Sequence, residues 1–459
     1  MGRISSSLSG IERTLLNRLA ETQAAQVQSA LRMSTLQKIN YPSDAPSAFV
    51  TLSSFQRQFS QVSSVLDNAT AANSIVTQTQ SAIGEIRGQL EIILAELEAP
   101  DSESQSKIDA AIEEINTLTK TDIDGRRTLD GSADFLVSGR NTSQVSQVLA
   151  YATGGAGRTI SGSVTQAGTQ ATALHTEAGG YAHSASQFTL TGSLGSATIT
   201  VAEDETFDDI ATAVNAVSHL TGVTASAAGN NLTFTSVNTG SAQSIGIAVT
   251  SGSFTVADND PGTSGTATIN GVSYTASASD GNRYSVNRNG FRFEIDFEAG
   301  FSGAFDTMSV SGSALSFALS TDISQLSTLA IPALRASELG GNSGRLDQIA
   351  TGGAYSGLGA NTSRAIRIVN EALGQLTKVE GNVDGFATAS ITSASTMLTA
   401  LQEDLQTTID DINAADPLEE QTLQLHYQQL INNTAASLTI LYQQRSDIVS
   451  MIRHIAGLD

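Results

Sequence analysis

A long proline-free stretch, residues 47–99, constrains the fold of this chain more than any other part of it. Its apolar residues recur at steps of three and four, which places them on a single stripe of an α-helix. A helix of this length would extend about 75–80 Å, deeper than a compact globular core. The sequence therefore predicts a rod-like helix whose stripe is covered by another long helix. The stripe comprises Leu52, Phe55, Phe59, Val62, Leu66, Ala69, Val76, Ile83, Ile86, Leu90, Ile93 and Leu97.

Two polar residues, Asn73 and Gln80, interrupt this stripe. If they are buried, they would set the register of the helix pair at some cost in stability. If they are not buried, the seam between the helices is slightly hydrated at these positions. Both alternatives are open at this point.

Helical patterns also occupy both ends of the chain. A narrow stripe precedes the prolines at Pro42 and Pro46, and a second long stripe runs without proline from about Asn361 to Pro417, where a last helix begins. The order is nearly symmetrical about the middle: short helix, proline break, long helix, insert, long helix, proline break, short helix. We predict that mirror-related segments pair, so that 47–99 lies against 361–414 and the first helix meets the last.

The middle of the chain has a different character. It is rich in Gly, Ser, Thr and Ala, and period-two alternation replaces helical periodicity. Asn270-Gly271 and Asn289-Gly290 are typical of hairpin turns, and Thr206 can cap a short helix. The predicted fold class is α+β and multidomain, with a long antiparallel α-helical coiled-coil rod formed by both chain ends and a β-rich central insert.

Three domains follow from this layout. Residues 1–45 with 415–459 are predicted to form a terminal helical coiled-coil domain. Residues 46–150 with 322–414 are predicted to form a helical rod domain, and 151–321 the β-rich outer insert.

Composition excludes several classes of partner and chemistry. The formal net charge of −22 would repel nucleic acid and disfavours an acidic membrane surface. No apolar run is long enough for insertion into a membrane. The absence of Cys excludes disulfides and thiolate chemistry. The first residues lack the apolar core of a cleaved signal peptide, which predicts either an intracellular protein or export by another route.

The sequence carries no pattern that predicts catalysis. Its five His residues show no metal-ligand spacing, and neither a Gly-x-Ser-x-Gly motif nor a phosphate-binding Gly-Lys-Ser/Thr loop occurs. Asp258, Asn259 and Asp260 lack the further ligands of a calcium loop and favour a plain turn. We expect no catalytic residue, metal site or cofactor, and predict that the chain is not an enzyme.

Four stretches resemble the bacterial flagellin superfamily, which includes filament flagellins and the hook–filament junction protein (hook-associated protein 3). They are 34–46 (STLQKINYPSDAP), 125–132 (GRRTLDGS), the closing helix at 441–452 (LYQQRSDIVSMI), and 188–249, which is similar to the flagellin hook IN motif and indicates a module at about 187–250. Gln37 and Ala45 stand where the family more often has Gly and Asp. The Pro-Ser-Asp-x-Pro form favours the junction protein and the closing helix favours flagellin, so both remain open.

The resemblance implies a structural subunit of the bacterial flagellum, located outside the cell after type III export without a cleaved signal peptide. It implies self-assembly into a helical polymer, contact with other flagellar axial proteins such as the hook-associated proteins and the filament cap, and an export chaperone. An alternative is a secreted adhesin whose β-rich insert binds a surface ligand. The polymerisation interface is assigned to the terminal stripes, namely Ile4, Leu8, Ile11, Leu15, Leu19, Leu430, Leu438, Leu441, Ile448, Ile452 and Ile455.

Overall fold

The computed structural model describes residues 10–153, 158–256, 258–312, 314–322 and 324–455. Helices lie towards both ends of the chain and strands fill the middle, so the predicted α+β class is confirmed. The helices of the described ranges are α1 (Gly10–Thr35), α2 (Pro46–Glu98), α3 (Ser104–Leu118), α4 (Phe207–Ala216), α5 (Ser218–Thr221), α6 (Thr362–Phe386), α7 (Ser393–Asn413) and α8 (Pro417–Ile455), with a 3-10 turn at Leu346–Ile349 and a π-helical stretch at Ala387–Thr392.

The described strands pair only in antiparallel fashion. They are β1 (Asp122–Ile123), β2 (Arg126–Arg127), β3 (Leu136–Ser138), β4 (Val145–Ala152), β5 (Arg158–Gln166), β6 (Gln170–Thr176), β7 (Ser186–Thr191), β8 (Ser196–Val201), β9 (Val223–Ala228), β10 (Asn231–Thr239), β11 (Gly246–Ser251), β12 (Asp258–Asp260), β13 (Thr266–Ile269), β14 (Val272–Thr275), β15 (Arg283–Arg288), β16 (Phe291–Phe297), β17 (Gly303–Ser311), β18 (Leu315–Phe317), β19 (Ser327–Leu329), β20 (Gly340–Gly341) and β21 (Gly344–Arg345).

The described residues pack as two compact units. The first joins residues up to Asp67 to those from Thr396 onward, and the second is Asn68–Ser395. Helix α2 contributes residues to both. In the first unit α1 packs along α8, and α2 packs on α7 through Val62, Val65, Leu398 and Leu405.

The stripe of α2 is covered, as predicted. In the second unit its apolar residues pack against α3 and α6, for example Ile86 and Leu90 among Ile115, Val369 and Leu376. Burying several Leu and Ile side chains is worth about 1.5–3 kcal/mol each before entropy is counted. Most of the predicted stripe is buried, while Phe55, Phe59 and Leu66 are half-buried.

The two polar interruptions lie outside the buried seam. Asn73 is exposed, and Gln80 is half-buried and donates its amide to Asp384 Oδ1 at 2.6 Å. Ala72 and Thr79 are buried beside them. Of the two alternatives, the structure supports polar residues at the edge of the seam rather than within it.

The helix that follows α6 is locally widened. Ala387–Thr392 is π-helical, and Thr392 Oγ1 donates to Ala387 O, five residues back, at 3.0 Å. The buried residues Phe386 and Ile391 are therefore five positions apart yet belong to one hydrophobic cluster. The extra residue in this turn restores the apolar face of α7.

The β-rich middle contains two modules with separate hydrophobic clusters. The first β module comprises the sheets β14-β13-β5-β17-β3 and β15-β16-β4, which share a cluster around Phe293 and Ile295. The second β module comprises the sheets β12-β6-β10-β9 and β11-β7-β8 with α4, around Phe188 and Phe234.

The local signals in these modules are mostly confirmed. Asn270-Gly271 and Asn289-Gly290 both have positive φ at each residue, as a type I′ turn requires, and connect β13 to β14 and β15 to β16. Thr206 caps α4, accepting a hydrogen bond from Asp209 N at 3.2 Å. The turn predicted at Asp258–Asp260 is wrong, because this segment is β12 and pairs with β6.

The two chain segments that connect the modules lie side by side. Thr169 N donates to Thr263 O at 2.9 Å, and Thr263 N donates to Thr169 O at 3.2 Å. Backbone packs directly on backbone here, since a Cβ at Gly240 would lie 2.3 Å from Ala278 O and one at Gly168 would lie 2.4 Å from Gly281 O. Glycine is required at this junction.

The predicted boundaries of the three domains stay predictions. Leu315 and Leu319, which lie inside the predicted insert, pack in the helical core of the second unit. The insert and the helices are thus in contact near its C-terminal end.

We expect that removing residues 170–262, so that Thr169 is followed by Thr263, leaves the other modules folded. Neither the helical cluster nor the first β module takes a core residue from the excised segment. Far-UV circular dichroism should show helix content equal to that of the full chain less α4 and α5. Removing β15–β16 (283–297) should instead unfold the first β module, and helix loss in the 170–262 deletion would contradict the expectation.

Candidate assembly interface

Helices α1 and α8 run side by side in opposite directions. As the residue number of the contacting residue rises along α1, that of its partner on α8 falls. The prediction that the first and last helices meet is confirmed. The contacts join Glu12 Oε1 to Arg445 Nη1 (3.4 Å), Gln26 Nε2 to Gln428 Oε1 (2.7 Å) and Ser29 Oγ to Glu420 O (3.1 Å).

The seam of α1 is polar. The residues of α1 that are buried are Glu12, Thr22 and Ser29. Glu420 of α8 is only 5% exposed, and its nearest cation, Arg32, lies 3.8 Å away. Glu420 Oε2 and Arg32 Nε are buried without a hydrogen-bond partner among the described atoms. A buried ion pair with such geometry adds little stability. Leu15 and Leu19 are only half-buried and Ile11 is exposed, so pairing with α8 leaves the apolar residues of α1 without full cover.

The structure divides the predicted polymerisation residues into three groups. Leu438 is buried in the pair, and Leu15, Leu19, Leu430 and Leu441 are half-buried. The exposed ones are Ile11 (63%), Ile448 (57%) and Ile452 (59%). Ile4, Leu8 and the side chain of Ile455 lie outside the described residues.

The same two helices carry further exposed apolar residues that the predicted interface does not include. These side chains are exposed, and none of them is among the residues assigned to the polymerisation interface. The spacing of seven between Leu418 and Leu425 is the sequence signal that could have identified part of this set. The set comprises Leu16, Val27, Leu418, Leu425, Ile440, Val449 and Met451.

The two proline breaks are tied to each other. Lys38 N donates to Asn413 O at 2.6 Å and Ile39 N donates to Asn413 Oδ1 at 2.7 Å, while Ala415 N donates to Leu36 O at 3.0 Å. Asn413 is 4% exposed. Asn413 therefore accepts hydrogen bonds from two backbone N–H groups of the first break, one through its side-chain oxygen and one through its carbonyl, although Ile39 lies 374 residues earlier in the sequence.

Asp44 holds the same loop in shape. Its carboxylate accepts hydrogen bonds from Asn40 N and Tyr41 N, each at 2.9 Å, and from Gln28 Nε2 at 3.0 Å. The backbone N–H of Tyr41, followed by that of Asn40, lowers the pKa of Asp44 below its usual value of 3.8. Asp44 thereby fixes the turn that connects α1 to α2.

The described residues show no catalytic arrangement. No three His, Asp or Glu side chains within the described ranges could hold a metal ion. His175 is buried, its Nδ1 contacts Thr255 O at 2.5 Å and its ring stacks on Phe254, which is the packing role expected for a scattered histidine. Among the described helices, none combines the length and apolarity needed to cross a bilayer.

Comparison with known families identifies one part of the chain. Residues 187–238 match the family model of the flagellin hook IN motif. This segment runs from β7 to β10 of the second β module and lies within the module predicted at about 187–250. The predicted resemblance to flagellar proteins is therefore confirmed over these residues. No curated protein matches the chain.

Solved structures of flagellar proteins share limited similarity with the chain. The flagellar cap protein FliD from Bdellovibrio bacteriovorus is 14% identical over 40% of this chain and 99% of that chain, with a TM-score of 0.26. FlgL from Xanthomonas campestris is 10% identical over 80% of this chain and 99% of that chain, with a TM-score of 0.24. Flagellar hook-associated protein-3 from Legionella pneumophila is 11% identical over 85% of this chain and 99% of that chain, with a TM-score of 0.20. TM-scores this low establish no common overall fold.

We expect Asp44→Ala to destabilise the chain by about 1 kcal/mol at pH 7, because two backbone N–H groups lose a charged acceptor that is partly exposed to solvent. The lowered pKa means that this stabilisation is present above pH about 4 and is lost as pH falls through the folded-state value. Urea denaturation at pH 7 and pH 3 checks both statements. Asp67→Ala, on the exposed face of α2, is the matched control, and an equal effect of the two substitutions would contradict the role of Asp44.

Proposed function

We propose that this chain is a structural subunit of the bacterial flagellum that polymerises through its terminal helices into the filament or the hook–filament junction. The observation that carries the proposal is the match of 187–238 to the flagellin hook IN motif. That motif lies in a β-rich middle flanked by long helices from both chain ends.

The surface of the terminal helices supports assembly. Exposed apolar side chains on α8 include Ile440, Ile448, Met451 and Ile452, which are 57–64% exposed. Burying one such side chain is worth about 1.5–3 kcal/mol. Neighbouring copies of the chain would supply this burial, and the polar seam between α1 and α8 explains why a single copy leaves it incomplete.

The partners and the location belong to the same proposal. The subunit would leave the cell without a cleaved signal peptide, assisted by an export chaperone, and would contact other axial proteins at the ends of its polymer. The filament flagellin and the junction protein differ in the consequence of their loss. Electron microscopy of a deletion strain decides between them: a flagellin deletion leaves a hook without a filament body, whereas a junction deletion leaves a normal hook and unattached filaments.

The mechanism predicts that Leu441→Asp and Ile452→Asp each give a monomer that fails to polymerise, because a carboxylate in a buried contact must be desolvated without a partner. Ile452 is 59% exposed, so its substitution should leave the monomer folded. Sedimentation and negative-stain electron microscopy of purified protein provide the measurement.

Leu326→Asp is the matched control for this experiment, since Leu326 is 54% exposed and lies outside the terminal helices. It should polymerise like the wild-type chain. Normal polymers from Ile452→Asp would show that the terminal helices are not the interface. That outcome would favour the alternative function, a secreted adhesin whose β-rich insert binds a surface ligand.

A further inference from the structure

A cavity of about 590 Å³ opens in the second unit where several parts of the chain meet. The first β module contributes Arg140 and Glu298, the second contributes Thr239, β21 contributes Arg345, and α6 contributes Arg364. None of these residues lies in α1 or α8, so the cavity is separate from the proposed assembly interface.

The charge of the cavity is opposite to that of the chain. Three arginines face one carboxylate, Glu298, within a protein of formal net charge −22. None of the three forms an ion pair with a described carboxylate. The electrostatics of the lining therefore favour an anionic group, which the rest of the protein surface would repel.

Each guanidinium is held in place while keeping free donors. Arg140 donates Nη1 to Ser146 O, Arg345 donates Nη1 to Glu338 O at 2.7 Å, and Arg364 donates Nε to Ser343 O at 2.8 Å. The guanidinium of Arg364 also lies 3.8 Å above the ring of Tyr355. A guanidinium carries five N–H donors, so each retains several for a carboxylate.

Neutral polar groups complete the lining. Thr239 is 7% exposed, and its Oγ1 is buried without a hydrogen-bond partner among the described atoms. An unpaired buried hydroxyl is unfavourable, and a hydroxyl group of a ligand would supply the missing hydrogen bond. Asn282, which is also 7% exposed, and Gln348 add amides suited to hydroxyl groups.

Space at the cavity is kept open by a glycine. Gly344 has φ +142°, and a Cβ there would lie 2.7 Å from Gln348 Oε1 and 2.9 Å from Tyr355 Cε2. A side chain at this position would displace two of the groups that line the cavity. The positive φ adds to the requirement for glycine.

We propose that this cavity binds an acidic saccharide. The carboxylate lies against the guanidinium groups of Arg345 and Arg364, and the ring hydroxyls bond to Thr239 and to the amides of Asn282 and Gln348. Charged and hydroxyl-binding groups occur together here, so neither a bare anion nor a neutral sugar matches the whole lining. The proposal does not depend on polymerisation and assigns a ligand class to the β-rich middle.

Isothermal titration calorimetry of the full chain with glucuronic acid, glucose and acetate tests the proposal. Glucuronic acid should bind more tightly than glucose, which lacks the carboxylate, and than acetate, which lacks the hydroxyls. Arg364→Gln should weaken glucuronic acid binding about tenfold or more, the usual effect of losing a charge-assisted contact. Thr239→Val, which preserves side-chain shape, should weaken it about threefold to tenfold.

Arg126→Gln is the matched control, because Arg126 is exposed in β2 and does not line the cavity. It should bind glucuronic acid like the wild-type chain, and circular dichroism should show that all variants are folded. The proposal is overturned if glucuronic acid does not bind at millimolar concentration, if acetate binds equally well, or if Thr239→Val and Arg126→Gln bind alike.

Discussion

The apolar stripe of α2 can be buried only by other helices, and the rest of the structure depends on that requirement. A helix of 53 residues has no way to cover its own side chains. Helices α3 and α6 cover it in the second unit, and α7 covers it in the first. Because α6 and α7 lie on the far side of the β-rich middle in the sequence, that middle must leave and return next to the helices. The contacts of α2 with α6 and α7 therefore join residues that are far apart in the sequence.

The two helix pairs of the chain differ in what lies between them. Ile83, Ile86, Leu90 and Ile93 of α2 are fully buried in an apolar cluster, whereas α1 turns Glu12, Thr22 and Ser29 towards α8. Apolar burial is favourable within one copy of the chain, but a polar seam with poorly paired charges contributes little. The chemistry of their seams therefore distinguishes the apolar core of the second unit from the α1–α8 pair, where we propose that neighbouring copies bind. This contrast gives the proposed assembly role a physical basis.

Local patterns in the sequence predicted most of the fold. The stripe of α2 and the Asn-Gly hairpins were recognisable because short-range sterics and periodicity alone determine them. In the sequence, the π-helical stretch appears only as a break in the spacing of apolar residues between Phe386 and Ile391. Packing against other helices determines whether such a break becomes a π-helical turn, and the local sequence does not contain that information. The strand at Asp258–Asp260 resembles a turn in composition and forms because β6 offers an open edge. The hydrogen bonds of Asn413 and the arginine-lined cavity both join residues that are distant in the sequence, and the periodicity of a single segment gives no information about such contacts.

The adjacency of Thr169 and Thr263 gives the second β module an unusual freedom to vary. A segment that leaves and rejoins the fold at two adjacent residues can be lengthened, shortened or replaced without changing the distance between its attachment points. Evolution can thus diversify the chemistry of this lobe at little cost to the long helices. For protein engineering, the same two neighbouring threonines mark where a foreign domain could be grafted.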